Sequence, residues 1–250
     1  MRIGVIGNTV LTRKSLMFLL EQDCTIEYVF GLPPKRLETK VNGCDLRGIC
    51  KTHRIEYIDS NEWEEIAHKK VDVVYELGDS RIIPRSFLDK NMVVGNHGAP
   101  LPTVQGAASL VWGRMLDSGK WGVSLMKLNE EIDGGDILIT QDITYDVNNT
   151  SMREFVDICD DATVKMVKQH FKGRYRQRKN KSWEVKVAKG TDSKKVVDIL
   201  KNCLEKKVNI YLPPRAPHHS QIYSSWDLSF VEKFKKANDF PYPSHYESEE

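Results

Sequence analysis

The sequence predicts an α/β protein built on a doubly wound, mostly parallel β-sheet. Short apolar and β-branched runs alternate along the chain with segments of helical periodicity, as strand–helix–strand units do. The first unit is the clearest, with strands predicted at residues 2–7 and 25–31 around a helix at residues 13–21. A change to a basic composition after Gly173 indicates a second, smaller region. We therefore expect a Rossmann-like sheet followed by a small C-terminal α+β extension.

The same alternation continues through most of the chain. Strands are predicted from apolar runs, and helices from apolar positions three and four residues apart. The further predicted strands cover residues 71–75, 92–94, 122–128 and 137–143. The further predicted helices cover residues 45–52, 63–68, 107–117 and 152–171, and another helix begins after Thr191 or Asp192 as its cap. These elements predict a main domain at residues 1–173 and a small C-terminal region at residues 174–250.

Composition narrows the classes of function. The chain has 250 residues, of which 40% are hydrophobic and 29% charged, as is ordinary for a soluble globular protein. Its net charge of +2 gives little reason to expect binding to nucleic acid. No apolar run reaches the roughly 18 residues that a membrane helix needs. The 5 cysteines are scattered and odd in number, which favours free thiols in a reducing cytoplasm. Cys44 and Cys50 have no second pair of cysteines, so we expect no metal site.

One stretch carries the candidate chemistry. An apolar run ends at His97, and a stiff loop with Pro100 and Pro102 follows it. Ligands of open α/β sheets bind at the carboxyl ends of strands, so the histidine stands where a ligand is expected. Histidine is a common general acid or base, Asn96 can donate to a developing oxyanion, and Asp133 can orient the imidazole. This combination favours acyl transfer.

Simpler interpretations of these residues stay open. His97 can satisfy a turn or cap a helix, and Asp133 can make the Asp-Gly turn of a hairpin with its tip at residues 129–136. A dinucleotide site at the N-terminus is rejected, because Gly4 and Gly7 do not complete the fingerprint of three spaced glycines.

A series of motifs follows His97 in a fixed order. Leu101-Pro102 and Gly106 come first, and then the strand that begins Gly122-Val123-Ser124. The segment Ile132-Asp133-Gly134-Gly135-Asp136-Ile137-Leu138 completes the series. This order resembles the formyltransferase family that uses N10-formyltetrahydrofolate. The resemblance covers roughly residues 1–170 and implies the formyltransferase fold and a folate-dependent formyl transfer.

The tail is similar to one branch of that family. Pro214-Arg215-Ala216-Pro217, Gln221-Ile222 and Phe240-Pro241-Tyr242-Pro243 resemble elements of the enzymes that formylate nucleotide-linked amino sugars. The resemblance implies such a sugar as the formyl acceptor, a place in lipopolysaccharide O-antigen biosynthesis, and a cytoplasmic homodimer.

One residue departs from the family pattern. The family asparagine lies two residues before the histidine, and that position is Gly95 here, whereas Asn96 lies one residue before it. Adjacent residues of an extended strand face opposite ways, so Asn96 can replace the asparagine only if the backbone turns, which Gly95 permits. Otherwise another group is the oxyanion donor, or activity is weakened.

The resemblance also implies roles for single residues. His97 accepts or relays the amine proton, Asn96 supports the oxyanion, and Asp133 orients His97. The loops at Arg81–Pro84 and Asn129–Asp136 hold the folate, and the glycines of the second loop allow its backbone to come close to that ligand. An exposed Arg81 meets a phosphate. The implied folate-binding residues are Arg81, Ile82, Ile83, Pro84, Glu131, Ile132, Gly134 and Asp136. The implied substrate-binding residues are Asn8, Arg81, Gln105 and Tyr242, with no metal ligand among them.

Three other functions are alternatives. A methionyl-tRNA formyltransferase is favoured by the basic run at residues 172–181, although that branch has a longer C-terminal domain than residues 174–250 provide. Formylation of glycinamide ribonucleotide is disfavoured, because Gly7-Asn8-Thr9 replaces the expected phosphate-binding loop. A relative that binds ligand with weakened catalysis is the third alternative, because of Gly95.

Overall fold

The computed structural model describes residues 1–242 and 246–247. Residue Pro243 of the Pro-Tyr-Pro element therefore lies outside the described residues. The strands, numbered in chain order, are β1 (Arg2–Ile6), β2 (Thr25–Gly31), β3 (Glu56–Asp59), β4 (Val73–Glu76), β5 (Val93–His97), β6 (Val104–Gly106), β7 (Lys120–Lys127), β8 (Asp136–Thr144), β9 (Val185–Lys186), β10 (Ile210–Leu212), β11 (Gln221–Ile222) and β12 (Tyr246–Glu247). The helices are α1 (Val10–Leu20), α2 (Pro34–Glu38), α3 (Arg47–Thr52), α4 (Glu64–Ala67), α5 (Arg85–Leu88), α6 (Ser109–Leu116), α7 (Met152–Phe171), α8 (Ser193–Lys206) and α9 (Leu228–Ala237), with a 3₁₀ turn at Pro217–Ser220.

A seven-stranded sheet has the order β3-β2-β1-β4-β5-β7-β8. Its pairs β1–β2, β2–β3, β1–β4 and β4–β5 are all parallel. The strand order reverses at β1, because β2 and β3 lie on one side of it and β4 and β5 on the other. Such a reversal is the point at which open α/β sheets bind their ligands. The predicted doubly wound, mostly parallel fold is confirmed.

The chain divides into two compact units that interleave along the sequence. The first unit comprises residues 1–96, 125–139 and 160–179, and the second comprises residues 97–124, 140–159 and 180–250. Strands β5, β7 and β8 and helix α7 each contribute residues to both units. The domain boundary near residue 173 stays a prediction.

The core of the first unit gathers buried apolar side chains from strands β1 to β5 and from helices α4 and α5. These side chains are Ile6, Tyr28, Phe30, Ile58, Ile66, Val74, Phe87 and Val93. Parallel strands that are covered on both faces need continuous apolar runs, and β4 has one in Val73, Val74 and Tyr75. Each buried Val, Leu, Ile or Phe side chain contributes about 1.5–3 kcal/mol. The last residue of β4, Glu76, is buried as well and interrupts this apolar pattern.

The second unit contains amphipathic helices with clear caps. The side chain of Asp192 accepts a hydrogen bond from Lys195 N–H at 3.1 Å, so helix α8 begins after one of the two predicted cap residues. One face of α8 is buried through Val196, Val197, Leu200 and Cys203. A three-stranded parallel sheet in the order β6-β10-β9 belongs to this unit.

Helix α6 differs from the prediction. It begins at Ser109 rather than at residue 107. Gly106, with φ 100°, ends strand β6, and Ala108, with φ 55°, is left-handed, so neither residue belongs to a right-handed helix. Strand β6 is absent from the predicted elements, because three residues show no periodicity and the strand forms only by pairing with the distant β10.

Membrane-spanning helices and metal-binding clusters are both absent from the described residues. None of their helices combines the length and the apolar character that crossing a membrane requires. In residues 1–242 and 246–247, no three His, Cys, Asp or Glu side chains are grouped as ligands for a metal ion. The cysteines are free thiols.

Candidate active site

The first unit brings Glu76 and Gly95 together at the carboxyl ends of neighbouring strands. The two residues are register partners in the parallel pair β4–β5, so both belong to the same face of the sheet. A Cβ atom placed on Gly95 would lie 2.9 Å from Oε2 of Glu76, and 2.7 and 2.8 Å from the two methyl carbons of Leu128. Glu76 and Leu128 therefore fill the space that a side chain at position 95 would need.

Asn96 lies on the opposite face of strand β5 from Gly95. The strand is continuous from Val93 to His97, so the backbone does not turn at this point. Oδ1 of Asn96 accepts a hydrogen bond from Gly78 N–H at 2.9 Å. The turn that Asn96 would need to replace the family asparagine is absent from this strand. Its catalytic role stays a prediction.

Glu76 is a buried carboxyl group at the end of an otherwise apolar strand. Its Oε1 accepts a hydrogen bond from Asp79 N–H at 2.8 Å. Burial and the charge of Asp79 raise the pKa of Glu76 to about 8, against the opposing effects of the Asp79 N–H, Lys40 and Arg81. Glu76 is thus mainly a neutral acid at pH 7, with a hydroxyl that can donate. Glu76 is not among the site residues predicted from the sequence, although an acidic residue at the end of an apolar run is a visible signal.

The side chain of Arg81 is buried, in contrast to the exposed loop residue predicted from the sequence. Its guanidinium pairs with the carboxylate of Asp79, with Nη2 and Oδ2 2.7 Å apart and the two side chains 6% and 2% exposed. It also donates to the carbonyl oxygens of Phe30, Gly31 and Ser60. Together these contacts use all of the N–H donors of the guanidinium, which leaves none for a phosphate. Arg81 therefore ties the loop after β4 to the end of β2.

Two exposed isoleucines lie on the loops predicted to hold the folate. Ile82 is 81% exposed and Ile132 is 65% exposed. An ion pair between Arg85 Nη1 and Glu130 Oε2, 2.9 Å long, joins the residue that follows the first loop to a residue of the second loop. The two loops of the first unit thus present apolar side chains that an incoming ligand can cover.

Other predicted folate-binding residues support the loops from within. Ile83 packs against the core of the first unit, and Pro84 precedes helix α5. Asp136 accepts hydrogen bonds from Gln177 at 2.7 Å and from Lys179 at 3.0 Å. These hydrogen bonds lower the pKa of the Asp136 carboxyl. Asp136 thereby connects the start of β8 to the basic segment.

The turn after β7 holds Asp133 in an unusual conformation. Asp133 has φ 54°, in the left-handed region that residues other than glycine seldom adopt. Gly134 N–H donates to the carbonyl oxygen of Glu131 at 3.0 Å. A Cβ atom on Gly135 would clash with the carbonyl oxygen of Lys127, so this glycine serves the packing of the turn itself. The close approach of a ligand to the glycines of this loop stays a prediction.

Asn8 is buried, and its amide is used inside the first unit. Its Oδ1 accepts a hydrogen bond from Leu32 N–H. Its Nδ2 donates to the carbonyl oxygen of Cys44 at 3.2 Å and to the hydroxyl of Tyr57 at 2.8 Å. Since both N–H donors have internal partners, we do not include Asn8 in the proposed substrate site.

His97, in the second unit, is buried and held by the loop that follows it. Its Nε2 lies 3.1 Å from the carbonyl oxygen of Val104. A carbonyl oxygen can only accept, so Nε2 carries the hydrogen in this contact. Oγ of Ser124 fixes the same loop, because it accepts from Leu101 N–H and donates to the carbonyl oxygen of Ala99, both at 2.9 Å.

The remaining predicted substrate-binding residues, Gln105 and Tyr242, also belong to the second unit. Gln105 is buried in β6, and its Nε2 donates to the carbonyl oxygen of Lys181 at 2.7 Å. Tyr242 is half-buried. Burial lowers the pKa of the Arg215 guanidinium to about 10, and the hydroxyl of Tyr242 opposes this shift. Two elements of the tail pattern therefore interact within this unit.

The fold is Rossmann-like, and solved formyltransferase structures share it. Curated relatives agree with the predicted resemblance, which is confirmed. The methionyl-tRNA formyltransferase of Pelagibacter ubique is 24% identical over 147 residues, which cover 54% of this chain and 47% of the relative. That of Alkaliphilus oremlandii is 23% identical over 161 residues, which cover 60% and 52%. The chain thus spans about half the length of these relatives. No protein-family model matches it.

Solved structures with this fold cover nearly all of the chain. A sugar N-formyltransferase from a Shewanella species has a TM-score of 0.69 and 13% identity, over 100% of this chain and 93% of the other. An N-formyltransferase from Helicobacter canadensis, in complex with folinic acid and dTDP-3-aminofucose, has a TM-score of 0.66 and 14% identity, over 97% and 83%. A methionyl-tRNA formyltransferase from Clostridium thermocellum has a TM-score of 0.65 and 16% identity, over 100% and 88%. At such low identities the likeness shows the fold.

Proposed function

We propose that the protein is an N-formyltransferase that moves a formyl group from N10-formyltetrahydrofolate to the amine of a nucleotide-linked amino sugar. The observation that carries this proposal is the position of His97 at the carboxyl end of β5. A histidine is a common general acid or base, and the contact of its Nε2 with the Val104 carbonyl oxygen holds the ring at this strand end. The names of the curated relatives support formyl transfer as the reaction.

The proposed reaction exchanges one carbon–nitrogen bond for another. A bond forms between the amine nitrogen and the formyl carbon, and the bond from that carbon to N10 of the folate breaks. One amine proton passes to N10, so the products are an N-formyl sugar and tetrahydrofolate. In this proposal His97 accepts or relays that proton, and Asp133 supplies a carboxylate for the same transfer.

The first unit has a surface that fits the formyl donor. A flat aromatic ring system binds to apolar side chains and to a few backbone hydrogen-bonding groups. Ile82 and Ile132 provide exposed apolar side chains on the two loops. The Arg85–Glu130 ion pair connects the end of the first loop to the second loop. We propose that these loops hold the folate, and the other predicted folate-binding residues remain part of that proposal.

The amino sugar as acceptor is supported by the tail. Arg215 is half-buried, and its Nη2 donates to the carbonyl oxygen of His219 and to Oγ of Ser220 at 2.9 and 2.8 Å. No carboxylate among the described residues forms an ion pair with Arg215. A partly buried cation of this kind suits an anionic ligand, and a nucleoside diphosphate is one. The Helicobacter canadensis protein binds a nucleotide-linked amino sugar, which adds support.

A methionyl-tRNA is the second candidate acceptor. Two curated relatives carry the name of that activity. In addition, the segment at residues 172–181 exposes several basic side chains that could contact phosphates. These are Lys172, Arg174, Arg176, Arg178, Lys179 and Lys181. Lys179 is also paired with Asp136, so part of this charge is used within the protein.

The test supplies N10-formyltetrahydrofolate together with each class of acceptor. One set contains dTDP-, UDP- and GDP-linked amino sugars, and the other contains initiator methionyl-tRNA. We expect mass spectrometry to detect the N-formyl product of one amino sugar. Formylation of the tRNA, with binding that weakens steeply as salt rises, would replace the proposal by the second candidate. Tight sugar binding without any transfer would identify a ligand-binding relative. A homodimer and a place in O-antigen biosynthesis are parts of the same proposal.

A further inference from the structure

We propose that Glu76, in its carboxylic acid form, donates a hydrogen bond to the oxygen on which negative charge develops during formyl transfer. It would do so in place of the side chain that position 95 lacks. The inference rests on the proposed function and adds to it a residue that the motif pattern does not contain.

The position of Glu76 is the first argument. The residue reaches the face of Gly95 from the neighbouring strand, and its Oε2 lies 2.9 Å from the point at which a side chain at position 95 would begin. Leu128 closes the other side of this space. The polar atom nearest to the missing side chain therefore belongs to Glu76.

The hydrogen bonds of Glu76 identify the donor atom. Oε1 is anchored by Asp79 N–H at 2.8 Å. Among the residues that the structure describes, no group forms a hydrogen bond with Oε2. In a carboxylic acid with one accepting oxygen, the proton is placed on the other oxygen, so Oε2–H is the donor and it lies on the Gly95 side.

Three charged groups face Glu76, and they come from two segments. Asp79, on the loop after β4, favours the neutral acid, whereas Lys40, after α2, and Arg81, on the same loop as Asp79, favour the carboxylate. Because Arg81 is paired with Asp79, its charge is largely compensated, and burial is the largest effect on Glu76. A neutral donor suits a developing oxyanion, since a carboxylate would repel it.

Asn96 is the competing donor. Its Oδ1 is bound to Gly78 N–H, and it lies on the other face of β5 from Gly95. If Asn96 is the donor, removal of the Glu76 side chain leaves the reaction unaffected. The two assignments therefore give opposite results in one assay.

The test measures formyl transfer by Glu76→Ala and Glu76→Gln between about pH 6 and about pH 9. Alanine removes the donor, and we expect it to lower kcat by about 10²–10³-fold, as loss of one oxyanion donor does. Glutamine keeps an N–H donor at this place, and we expect it to recover about tenfold or more of that loss. The wild-type rate should fall above about pH 8 as Glu76 ionises, and the glutamine variant should lack this decline. Glu65→Ala, which removes an exposed carboxyl from α4, is the matched control.

The outcomes separate this inference from the proposed function. Wild-type rates in Glu76→Ala overturn the donor role and leave formyl transfer standing. A wild-type protein that formylates no acceptor overturns both. Where Glu76→Ala fails to fold, the glutamine variant decides, because retention of the alkaline decline contradicts the role. Infrared spectra at about pH 7 provide a measurement without substrate, since the band of a protonated carboxyl should be present in the wild type and lost in Glu76→Gln.

Discussion

Asp79 and Arg81 form a buried ion pair in which Oδ2 and Nη2 lie 2.7 Å apart. The same carboxylate accepts hydrogen bonds from the backbone N–H groups of Ser80 and Arg81 at 2.7 and 2.8 Å. Burial of two charged groups costs desolvation free energy, and these additional hydrogen bonds offset part of it. The pair thereby fixes the loop between Glu76 and Ile82, which carries both the proposed donor and part of the proposed folate surface.

Removal of Arg81 should destabilise the protein strongly. In Arg81→Ala the charge of Asp79 stays buried without its partner, and the carbonyl oxygens of Phe30, Gly31 and Ser60 lose a donor. We expect the free energy of unfolding to fall by about 3–5 kcal/mol in urea titrations. Arg85→Ala, which breaks an exposed pair with Glu130, should cost at most about 1 kcal/mol. Equal small losses in both variants would show that the Asp79–Arg81 pair is not structural.

The raised pKa of Glu76 predicts a dependence of stability on pH. Between about pH 4.5 and about pH 8 the unfolded chain has released this proton while the folded protein retains it, so stability falls as pH rises. The slope is at most about 1.4 kcal/mol per pH unit, and it vanishes above and below the window because both states then carry the same charge. Glu76→Gln lacks this proton, so its advantage over the wild type in urea titrations should grow across the window. A difference that stays constant from about pH 5 to about pH 8 contradicts the shift.

The role of His97 predicts a loss of turnover without a loss of binding. His97→Ala removes the proposed proton acceptor, and general acid–base groups contribute about 10²–10⁴-fold to rates. We expect formyl transfer to decrease by that factor while calorimetry still detects folate binding. His53→Ala, which removes an exposed histidine near the end of α3, is the control. Full activity of His97→Ala would contradict the proton-transfer role and would point to a structural role, to which the hydrogen bond with the Val104 carbonyl oxygen contributes.

Gly106 should be intolerant of a side chain. It has φ 100°, and a Cβ atom there would clash with the carbonyl oxygen of Leu212 in the paired strand β10. Gly106→Ala should therefore cost more than about 1 kcal/mol and weaken the β6–β10 pair. Gly48→Ala is the control, because a Cβ atom at that position in α3 meets nothing within 4 Å and should stabilise the helix by about 0.5–1 kcal/mol. Thermal unfolding of both variants makes the comparison.

Elements with a local signal could be predicted from the sequence, and those formed by distant pairing could not. Helix α7 has the bounds that its periodicity predicts, and α8 begins at one of its predicted caps. Strands β6 and β10 are three residues each, and pairing with distant strands defines them, since β6 pairs with β10 and β10 also pairs with β9. Such contacts carry no pattern along the chain.

The candidate site divides in the same way. The motif order pointed to His97, because spacing along the chain is visible in the sequence. The protonation of Glu76 depends on burial and on Asp79 and Lys40, which are features of packing. Arg81 looked exposed for the same reason, since only the fold shows that Phe30, Gly31 and Ser60 surround its guanidinium.

The buried guanidinium of Arg81 has a thermodynamic consequence for its neighbour Ile82. An isoleucine on a mobile loop would spend part of its time turned away from water, and a ligand would first have to order it. Here hydrogen bonds from Arg81 to the carbonyl oxygens of Phe30 and Gly31 fix the loop at the end of β2. Ile82 is therefore held in solvent, at 81% exposure. This segment loses its conformational entropy when the protein folds. Ligand binding therefore carries no further entropic cost for ordering it. A ligand that covers Ile82 should therefore bind with a negative heat-capacity change that reflects the apolar area buried, with little contribution from loop ordering.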